Sequence, residues 1–251
     1  MPASAPYTTL TAYSAHQADV FSFTGNQAAL ANINSLTGGV YGERRFLLQE
    51  LSLYHLAFAM PTSTGNFGLK AGYFGGSDYN ESQLGLAYGR RLGSKIDIGV
   101  QFNYYNFRIS GYGNTSSINF EAGTIIHLTE QLHAGIHTYN PTGSKLGKND
   151  EEQLPSVHTA GIGYEPSESF LVSVEVQKTE NENIAINAGV QYILQEKLLA
   201  RGGFTSGNSS YYLGFGVFLK EFRLDATVSI HPQLGLTPGL MLIFKNNSIK
   251  Q

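Results

Sequence analysis

The sequence predicts an all-β protein, an antiparallel transmembrane β-barrel of about 14 strands. Three observations indicate this fold. Apolar and polar residues alternate with a period of two through most of the chain after Gly39, which is the periodicity of a strand and not of a helix. Most alternating segments are about nine to eleven residues long, the length that a tilted strand needs to cross a bilayer. Many of the connections between them alternate between short and long, as in barrels of the outer membrane.

The composition argues against several other classes of protein. Charged residues make up only 14% of the 251 residues, the formal net charge is -3, and no basic stripe is present, so no nucleic-acid partner is expected. The absence of cysteine excludes a disulfide framework and a thiolate metal site. No run of about 18 apolar residues occurs, so the sequence offers no transmembrane helix. A chain of 251 residues suits one all-β domain.

The strands can be placed by their alternation. In the clearest segment, residues 95–109, Val100 and Phe102 alternate with Gln101 and Asn103. Short connections follow the second, fourth, sixth, eighth, tenth and twelfth strands, and longer ones follow the third, fifth and seventh. The predicted strands cover residues 38–45, 51–60, 66–74, 82–91, 95–109, 117–127, 132–140, 156–165, 170–178, 183–194, 198–205, 210–220, 222–231 and 235–244.

Alternation alone does not say which face of the strands meets lipid. In a soluble sandwich the apolar face packs inward, whereas in a barrel in lipid it faces outward. The opposite faces here combine glycine with charged residues, as a narrow polar lumen would. The apolar faces carry aromatic residues near the strand ends, as an interfacial girdle requires: Tyr73, Tyr88, Tyr104, Tyr164, Tyr192 and Phe244. These features favour the membrane barrel, with a secreted β-sandwich or lectin-like binding domain as the alternative.

The last predicted strand resembles the terminal signal that the barrel-assembly machinery reads. Thr237, Gly239, Leu242 and Phe244 occupy the positions of its polar residue, its glycine, its apolar residue and its final aromatic residue. The likeness implies that this machinery is a partner during biogenesis. The predicted strands place the barrel at residues 37–245, with a periplasmic tail at residues 246–251.

The first 36 residues precede the strands. Thr24, Gly25 and Asn26 form a turn signal, and small apolar residues follow. By composition alone this segment is either an arm on the surface or a piece inside the barrel. The opening residues lack the charged and apolar regions of a signal peptide, but residues 3–5 have the small-x-small form that precedes a cleavage site. One interpretation is that the sequence begins close to a mature terminus.

Residues 19–31 resemble the D-x-x-S-x-x-x-N-P-A-G-L-A element of a group of outer-membrane barrels. That group includes PorV and PorQ of the Bacteroidota type IX secretion system and is related to the FadL-type fatty-acid transporters. In the group this segment lies in the lumen as a plug or hatch, so the resemblance implies a lumenal plug within residues 1–36. Gln27 and Ala29 stand where the group has proline and glycine. The matching positions are Asp19, Ser22, Asn26, Ala28, Leu30 and Ala31.

Histidines and inward carboxylates are the candidates for chemistry. His133 and His137 lie four residues apart on a strand, about 13 Å, which is too far for one metal ion. His127 and His133 can approach each other across a turn, and we interpret all three histidines as polar residues that face the lumen. The carboxylates expected to point inward, and the cations available to pair with them, are Asp97, Glu121, Glu175 and Asp225 with Lys70, Arg201, Lys220 and Arg223.

No catalytic residue, cofactor or metal site is expected, and no G-x-S-x-G or phosphate-loop motif is present. Two functions remain. The first, which the resemblance implies, is a non-enzymatic accessory or structural subunit of a type IX secretion-like assembly, with outer-membrane lipid and other outer-membrane or periplasmic subunits as partners. The second is a FadL-like channel for hydrophobic small molecules. Few inward positions are apolar, among them Tyr105, Phe107 and Ile125, which favours the first. Both place the protein in the outer membrane of a Gram-negative bacterium with its termini in the periplasm.

Overall fold

The structure, a computed structural model, describes residues 5–146 and 152–246. The small-x-small motif at residues 3–5 and the tail at 246–251 therefore lie largely outside the described residues. The strands are β1 (Leu36–Arg44), β2 (Ser52–Thr62), β3 (Gly65–Gly75), β4 (Tyr79–Leu92), β5 (Ile96–Ile109), β6 (Gly113–His127), β7 (Leu132–Tyr139), β8 (Lys145–Leu146), β9 (Glu152–Gln153), β10 (Val157–Ser167), β11 (Phe170–Thr179), β12 (Ala185–Leu194), β13 (Leu198–Thr205), β14 (Ser210–Leu219), β15 (Phe222–His231) and β16 (Gly235–Asn246).

Fourteen of these strands form a closed antiparallel barrel, which confirms the predicted fold. Each barrel strand pairs with its neighbours in the chain, with β7 next to β10, and β1 pairs with β16 to close the ring. A sandwich has two separate sheets, so closure rules out that alternative. Strands β8 and β9 form a separate two-stranded ribbon in the connection between β7 and β10.

Two strands begin three or four residues earlier than the alternation indicated. Strand β4 begins at Tyr79 instead of residue 82, and β6 begins at Gly113 instead of residue 117. Backbone pairing continues there, with Tyr79 opposite Ile109 and Ile109 opposite Gly113. In the β6 extension the side chains no longer alternate between apolar and polar, because most of them are solvent-exposed and no buried face has to be specified. In the β4 extension, Glu81 is buried and accepts a hydrogen bond from Tyr105.

The faces of the wall are those predicted for a barrel in lipid. On β5, Val100 is 46% exposed and Gln101 is fully buried. Large apolar side chains point outward on every barrel strand, and the exposed aromatic residues include Tyr73, Tyr104 and Tyr164. Within the described residues, no helix is both long enough and apolar enough to cross a membrane.

A charge on the outer face tests the assignment of that face to lipid. Val100→Arg is expected to lower the free energy of unfolding by roughly 2–4 kcal/mol in a bilayer, because an arginine near the midplane loses its hydration. Ile96→Arg, at the start of the same strand and on the same outward face, should cost only about 0–1 kcal/mol. Urea unfolding in phospholipid vesicles measures both. Equal costs for the two variants would contradict a lipid-facing band.

The N-terminal residues 5–35, called the plug segment below, lie inside the barrel. They contain a helical turn at Pro6–Thr9 and 3-10 helices at Ser22–Thr24 and Gln27–Asn32. Two further 3-10 helices, Arg45–Leu47 and Gln49–Leu51, connect β1 to β2. The buried apolar clusters of the molecule form between the plug segment and the inner wall, and the larger of them joins Val20, Phe21, Phe23 and Leu30 to Tyr41, Leu53, Ala57 and Met241.

Candidate functional site

A buried ion cluster attaches the plug segment to strands β13 and β15. The Asp19 carboxylate accepts hydrogen bonds from Arg201 (Nη2 to Oδ2, 3.1 Å) and Arg223 (Nη2 to Oδ2, 2.8 Å). Arg223 also donates to Asp225, whose other oxygen accepts from the Tyr7 hydroxyl at 3.0 Å. All five side chains are buried. The plug segment therefore supplies a carboxylate to two guanidinium groups of the wall, and Arg201 has no other carboxylate partner among the ion pairs of this cluster.

The charge on Asp19 is stabilised by its surroundings. Burial alone would raise the pKa of the Asp19 carboxyl, but Arg223 and Arg201 outweigh burial and lower this pKa below its usual value. The Phe21 amide also donates to Asp19 at 2.9 Å. Because the pKa is depressed in the folded protein, the stabilisation is complete above the unfolded pKa of about 3.9 and is lost only as the pH falls further. The ion cluster around Asp19 is thus intact at neutral pH.

Ser22 and Asn26 organise the turns of the plug segment. The Ser22 hydroxyl accepts the Asp19 amide at 2.8 Å and bonds to the Thr11 hydroxyl at 2.7 Å. Asn26 caps the 3-10 helix that follows it, since its Oδ1 accepts the Ala28 amide. Its Nδ2 group donates to a carbonyl of the wall, that of Ile136, at 3.1 Å. The turn predicted at residues 24–26 is therefore also a point of attachment to the wall.

Glycines on the inner face let the plug segment touch the wall backbone. A Cβ atom on Gly99 would lie 2.3 Å from the carbonyl carbon of Gln27, and one on Gly123 would lie 2.1 Å from Asn26 Oδ1. Ala28 and Leu30 are fully buried in the same region. Small residues therefore lie on both sides of the contact, glycine on the wall and alanine on the plug segment.

Of the six residues that match the resembled element, Ala31 is the one that is not buried. It is only partly buried and borders an open cavity at the end of the barrel with the short turns. Close approach to the wall therefore does not extend to Ala31. Asn32 and Asn34, which follow it, border the same cavity.

Adding a single methyl group at the contact tests the docking of the plug segment. Gly99→Ala is expected to displace the 3-10 helix at Gln27–Asn32, because its Cβ would meet plug backbone. The nearest atom to the corresponding Cβ of Gly38→Ala is Phe58 Cδ2 at 3.7 Å, an ordinary contact, so that variant serves as the control. Protease sensitivity of residues 5–35 in the folded barrel measures the effect. The same digestion rate in both variants would contradict this packing.

The Gln27 side chain inserts into a polar network around Glu121 of β6. Glu121 accepts hydrogen bonds from Gln27 (2.6 Å) and Gln101 (3.0 Å), and lies 3.0 Å from His137 Nε2 and 3.5 Å from Lys70 Nζ. Asn103 joins it from β5 at 2.8 Å. The side-chain amide of Gln27 donates its hydrogen bond to Glu121, a contact that a proline at the same position could not make.

The four inward carboxylates lie in four different environments. Asp225 and Glu121 belong to the clusters above, and Asp97 pairs with Arg91 (2.7 Å). Glu175 accepts a hydrogen bond from Asn187 at 2.6 Å and borders the cavity described next. Of the cations expected in the lumen, Lys70, Arg201 and Arg223 are there. Lys220 is not, because it occupies the tight turn between β14 and β15 with a positive φ of 54° and is exposed.

A cavity of about 150 Å³ separates the plug segment from the wall. Its apolar lining comes from both partners, with Pro6 and Phe21 on the plug segment and Val157 on the wall. Its polar lining includes Lys70, Glu121, His137, Glu175 and Gln177. The cavity can hold a small molecule that presents both an apolar and a polar part.

Glu165 of β10 makes a second attachment, which the sequence did not reveal. Its carboxylate accepts hydrogen bonds from the Ser14 hydroxyl at 2.5 Å and the Ala15 amide at 2.9 Å, and lies 3.1 Å from both His16 Nδ1 and His133 Nε2. The available signal was the phase of β10: Gly161, Gly163 and Glu165 share one face. Nothing in the sequence brings residues 14–16 to that strand.

The three histidines of the β6–β7 hairpin separate as their spacing predicted. His137 pairs with Glu121, whereas His127 and His133 meet across the turn, with 2.9 Å between their Nδ1 atoms. His127 Nε2 then contacts Asp97 at 2.8 Å. Two of the histidines thus form a chain that runs from Asp97 to Glu165.

The four residues of the expected assembly signal lie on two faces of β16. Gly239 faces the lumen, since a Cβ there would meet Thr227 and Tyr41. The Thr237 hydroxyl is buried and accepts the Phe46 amide at 3.1 Å. Leu242 points outward, as does Phe244, whose ring packs at 5.2 Å on that of Phe222. Their recognition by assembly machinery stays a prediction.

Comparison with known proteins gives a likeness of fold. No protein-family model and no curated protein sequence matches this chain. Among solved structures, the toluene transporter TodX of Pseudomonas putida superposes with a TM-score of 0.70 at 10% identity, covering 98% of both chains. The CymD monoaromatic hydrocarbon channel gives 0.67 at 12% identity, covering 91% of this chain and 93% of its own. A Pseudomonas aeruginosa FadL homologue gives 0.54 at 11% identity, covering 90% and 93%. The chain therefore has the 14-stranded fold of FadL-like barrels.

Proposed function

We propose that this protein is an outer-membrane channel for small molecules that are mainly apolar and carry a polar group, and that the plug segment closes it. The observation that carries the proposal is the cavity of about 150 Å³ between plug segment and wall. A cavity of about that size accommodates a single aromatic ring. The barrels of similar fold include two described as a toluene transporter and a monoaromatic hydrocarbon channel.

The lining of the cavity determines the class of ligand. An apolar cavity of this size stays dry and takes a bare hydrocarbon, but here Glu121, Glu175 and His137 contribute polar atoms. These groups already have partners within the protein, but a carboxylate oxygen can accept more than one hydrogen bond, so a ligand with a donor group gains contacts that a bare hydrocarbon cannot make. An aromatic ring with a hydroxyl or amino group satisfies both parts of the lining.

A substitution that fills the cavity, compared with the same substitution at an outward position, tests the proposal. Thr159 borders the cavity, and the next residue, Ala160, points outward from the same strand. The wild-type protein and Ala160→Phe are expected to bind benzyl alcohol or benzylamine in detergent, measured by calorimetry, and Thr159→Phe is expected to lose binding. Uptake of the same compounds by cells with and without the protein measures transport. Binding that survives Thr159→Phe would contradict the assigned cavity.

The accessory-subunit function is the second candidate, and one observation favours it. The pairings of β1 through β7 run without a register shift, and the plug segment packs against wall backbone at Gly99 and Gly123. A wall and plug this tightly packed suit a structural subunit in an assembly with other outer-membrane or periplasmic proteins. Absence of ligand binding and uptake, together with stoichiometric co-purification of another subunit in mild detergent, would favour this candidate over the channel.

A further inference from the structure

Five side chains form a continuous chain at the short-turn end of the lumen. Asp97 of β5 contacts His127 of β6, His127 contacts His133 of β7, and His133 contacts Glu165 of β10. His16 of the plug segment reaches the same Glu165 oxygen that His133 contacts. The chain therefore spans four neighbouring wall strands and ends on the plug.

This chain of contacts lacks one positive charge, either a proton or a metal ion. Its three contacts between Asp97 and Glu165 each require a proton, because both ends are carboxylates and every intervening atom is an imidazole nitrogen. Two neutral imidazoles carry only two N–H groups, whichever tautomers they adopt. One contact is therefore left with two lone pairs facing each other unless a further positive charge is bound.

The missing charge belongs at Glu165. Asp97 already has Arg91, whose Nε and Nη2 donate to it at 2.7 and 2.9 Å. Among the described residues, Glu165 has no lysine or arginine partner, and its side chain is completely buried. A buried carboxylate without a compensating charge is costly. If His133 donates from Nδ1 to His127, and His127 donates from Nε2 to Asp97, the Nε2 lone pair of His133 points at Glu165.

We propose that His16, His133 and Glu165 bind a divalent transition-metal ion of the zinc class, which joins the plug segment to the wall. The three donor atoms lie within 4.8 Å of one another, and each nitrogen is 3.1 Å from the carboxylate oxygen. Adjacent ligands on a tetrahedral zinc ion with bonds of about 2.0–2.1 Å are roughly 3.3 Å apart. Two histidines and one carboxylate are a donor set that suits such ions and not Mg²⁺ or Ca²⁺.

The surroundings supply both orientation and access. A ligating histidine normally donates its other nitrogen to a fixed partner, and His133 has that partner in His127, backed by Asp97. An open cavity of about 660 Å³ borders His16 and His133 and gives an ion a route from the short-turn end. The side chain of His16 is 44% exposed, so it can adjust to complete the site. Histidine spacing did not indicate a metal site, because His16 is distant in sequence from the hairpin.

Metal titration of the full-length protein in detergent tests the site. The protein should carry no polyhistidine tag and should first be freed of metal with chelator. Calorimetry with Zn²⁺ is expected to show one ion per chain, and Co²⁺ should give the visible absorption bands of a tetrahedral site. His16→Asn and His133→Asn are each expected to weaken Zn²⁺ binding at least roughly tenfold, and His127→Asn to weaken it about 10- to 100-fold through the orientation of His133.

His158→Asn is the matched control. His158 points outward from β10, the strand that carries Glu165, and its contact is with Thr138 instead of with the proposed site. The control variant should bind Zn²⁺ as the wild type does, and Mg²⁺ should not bind to either. His16→Asn alters an exposed side chain, so its folding should be unaffected, which unheated gel electrophoresis verifies. Absence of Zn²⁺ binding to the wild type would overturn the proposal and leave a proton as the missing cation. Unchanged affinity in His16→Asn would overturn it as well.

Discussion

Deletion of residues 1–31 is expected to convert a closed barrel into an open pore. Eight strands already leave an interior that wall side chains just fill, whereas this wall has fourteen. The plug segment occupies the difference, and many of its side chains are fully buried. Its removal should leave a water-filled lumen lined by Arg201, Arg223, Glu121 and Asp225. In a planar bilayer the full-length protein should show few or no channel openings, and the deletion variant should conduct steadily.

Folding of the deletion variant has to be established separately. A closed barrel has no free edge from which to unravel, so the variant should still migrate anomalously on unheated gels. Removal of Asp19 leaves Arg223 with Asp225 and leaves Arg201 facing water in the opened lumen. A full-length protein that already conducts like an open porin, with no further increase on deletion, would show that the plug segment does not close the barrel.

Asp19→Ala is expected to release the plug segment without removing it. Truncation of one partner of a buried ion pair typically costs about 3–5 kcal/mol, because the remaining charge is left uncompensated. Here Arg201 loses its carboxylate partner, and Arg223 retains only Asp225. The plug segment should become sensitive to protease, and channel openings should become frequent in the bilayer.

Asn34→Ala is the control for that substitution. Asn34 belongs to the same segment but is exposed at the short-turn end, so its loss should leave both digestion and conductance unchanged. If Asp19→Ala behaved like Asn34→Ala, the plug segment would be held by its apolar contacts and by Glu165 instead of by the ion cluster.

The sequence was most informative about the wall. Each strand buries one face, so alternation identified Val100 as outward and Gln101 as inward, and it located all fourteen barrel strands. The same logic could not show what an inward residue meets. The inward position of Gln101 does not reveal whether its side chain meets water or packed protein. The structure shows Gln101 fully buried and bonded to Asn103 and Glu121, so we expect Gln101→Arg to disrupt packing.

Contacts across the lumen have no local signature. Asp19 and Arg201 are 182 positions apart, and Ser14 and Glu165 are 151 apart. The inner glycines were recognised as a feature of a narrow lumen, but their use as contact points for Gln27 and Asn26 depends on where the plug segment enters. The likeness to the PorV/PorQ element indicated the segment itself, yet the residues that hold it include Tyr7, Ser14 and His16, which lie before the motif.

The wide distribution of plug contacts has a consequence for the order of events during assembly. The plug segment bonds to β13 and β15 through Asp19 and to β6 and β7 through Gln27 and Asn26, on both sides of the ring. It leads directly into β1, one of the two strands at the closing seam. If the ring closed first, all of residues 5–35 would have to enter a lumen where the contact at Gly99 leaves no space even for a methyl group. If the N-terminal residues dock before β1 pairs with β16, that passage is avoided. The plug segment would then serve as a template around which the strands assemble.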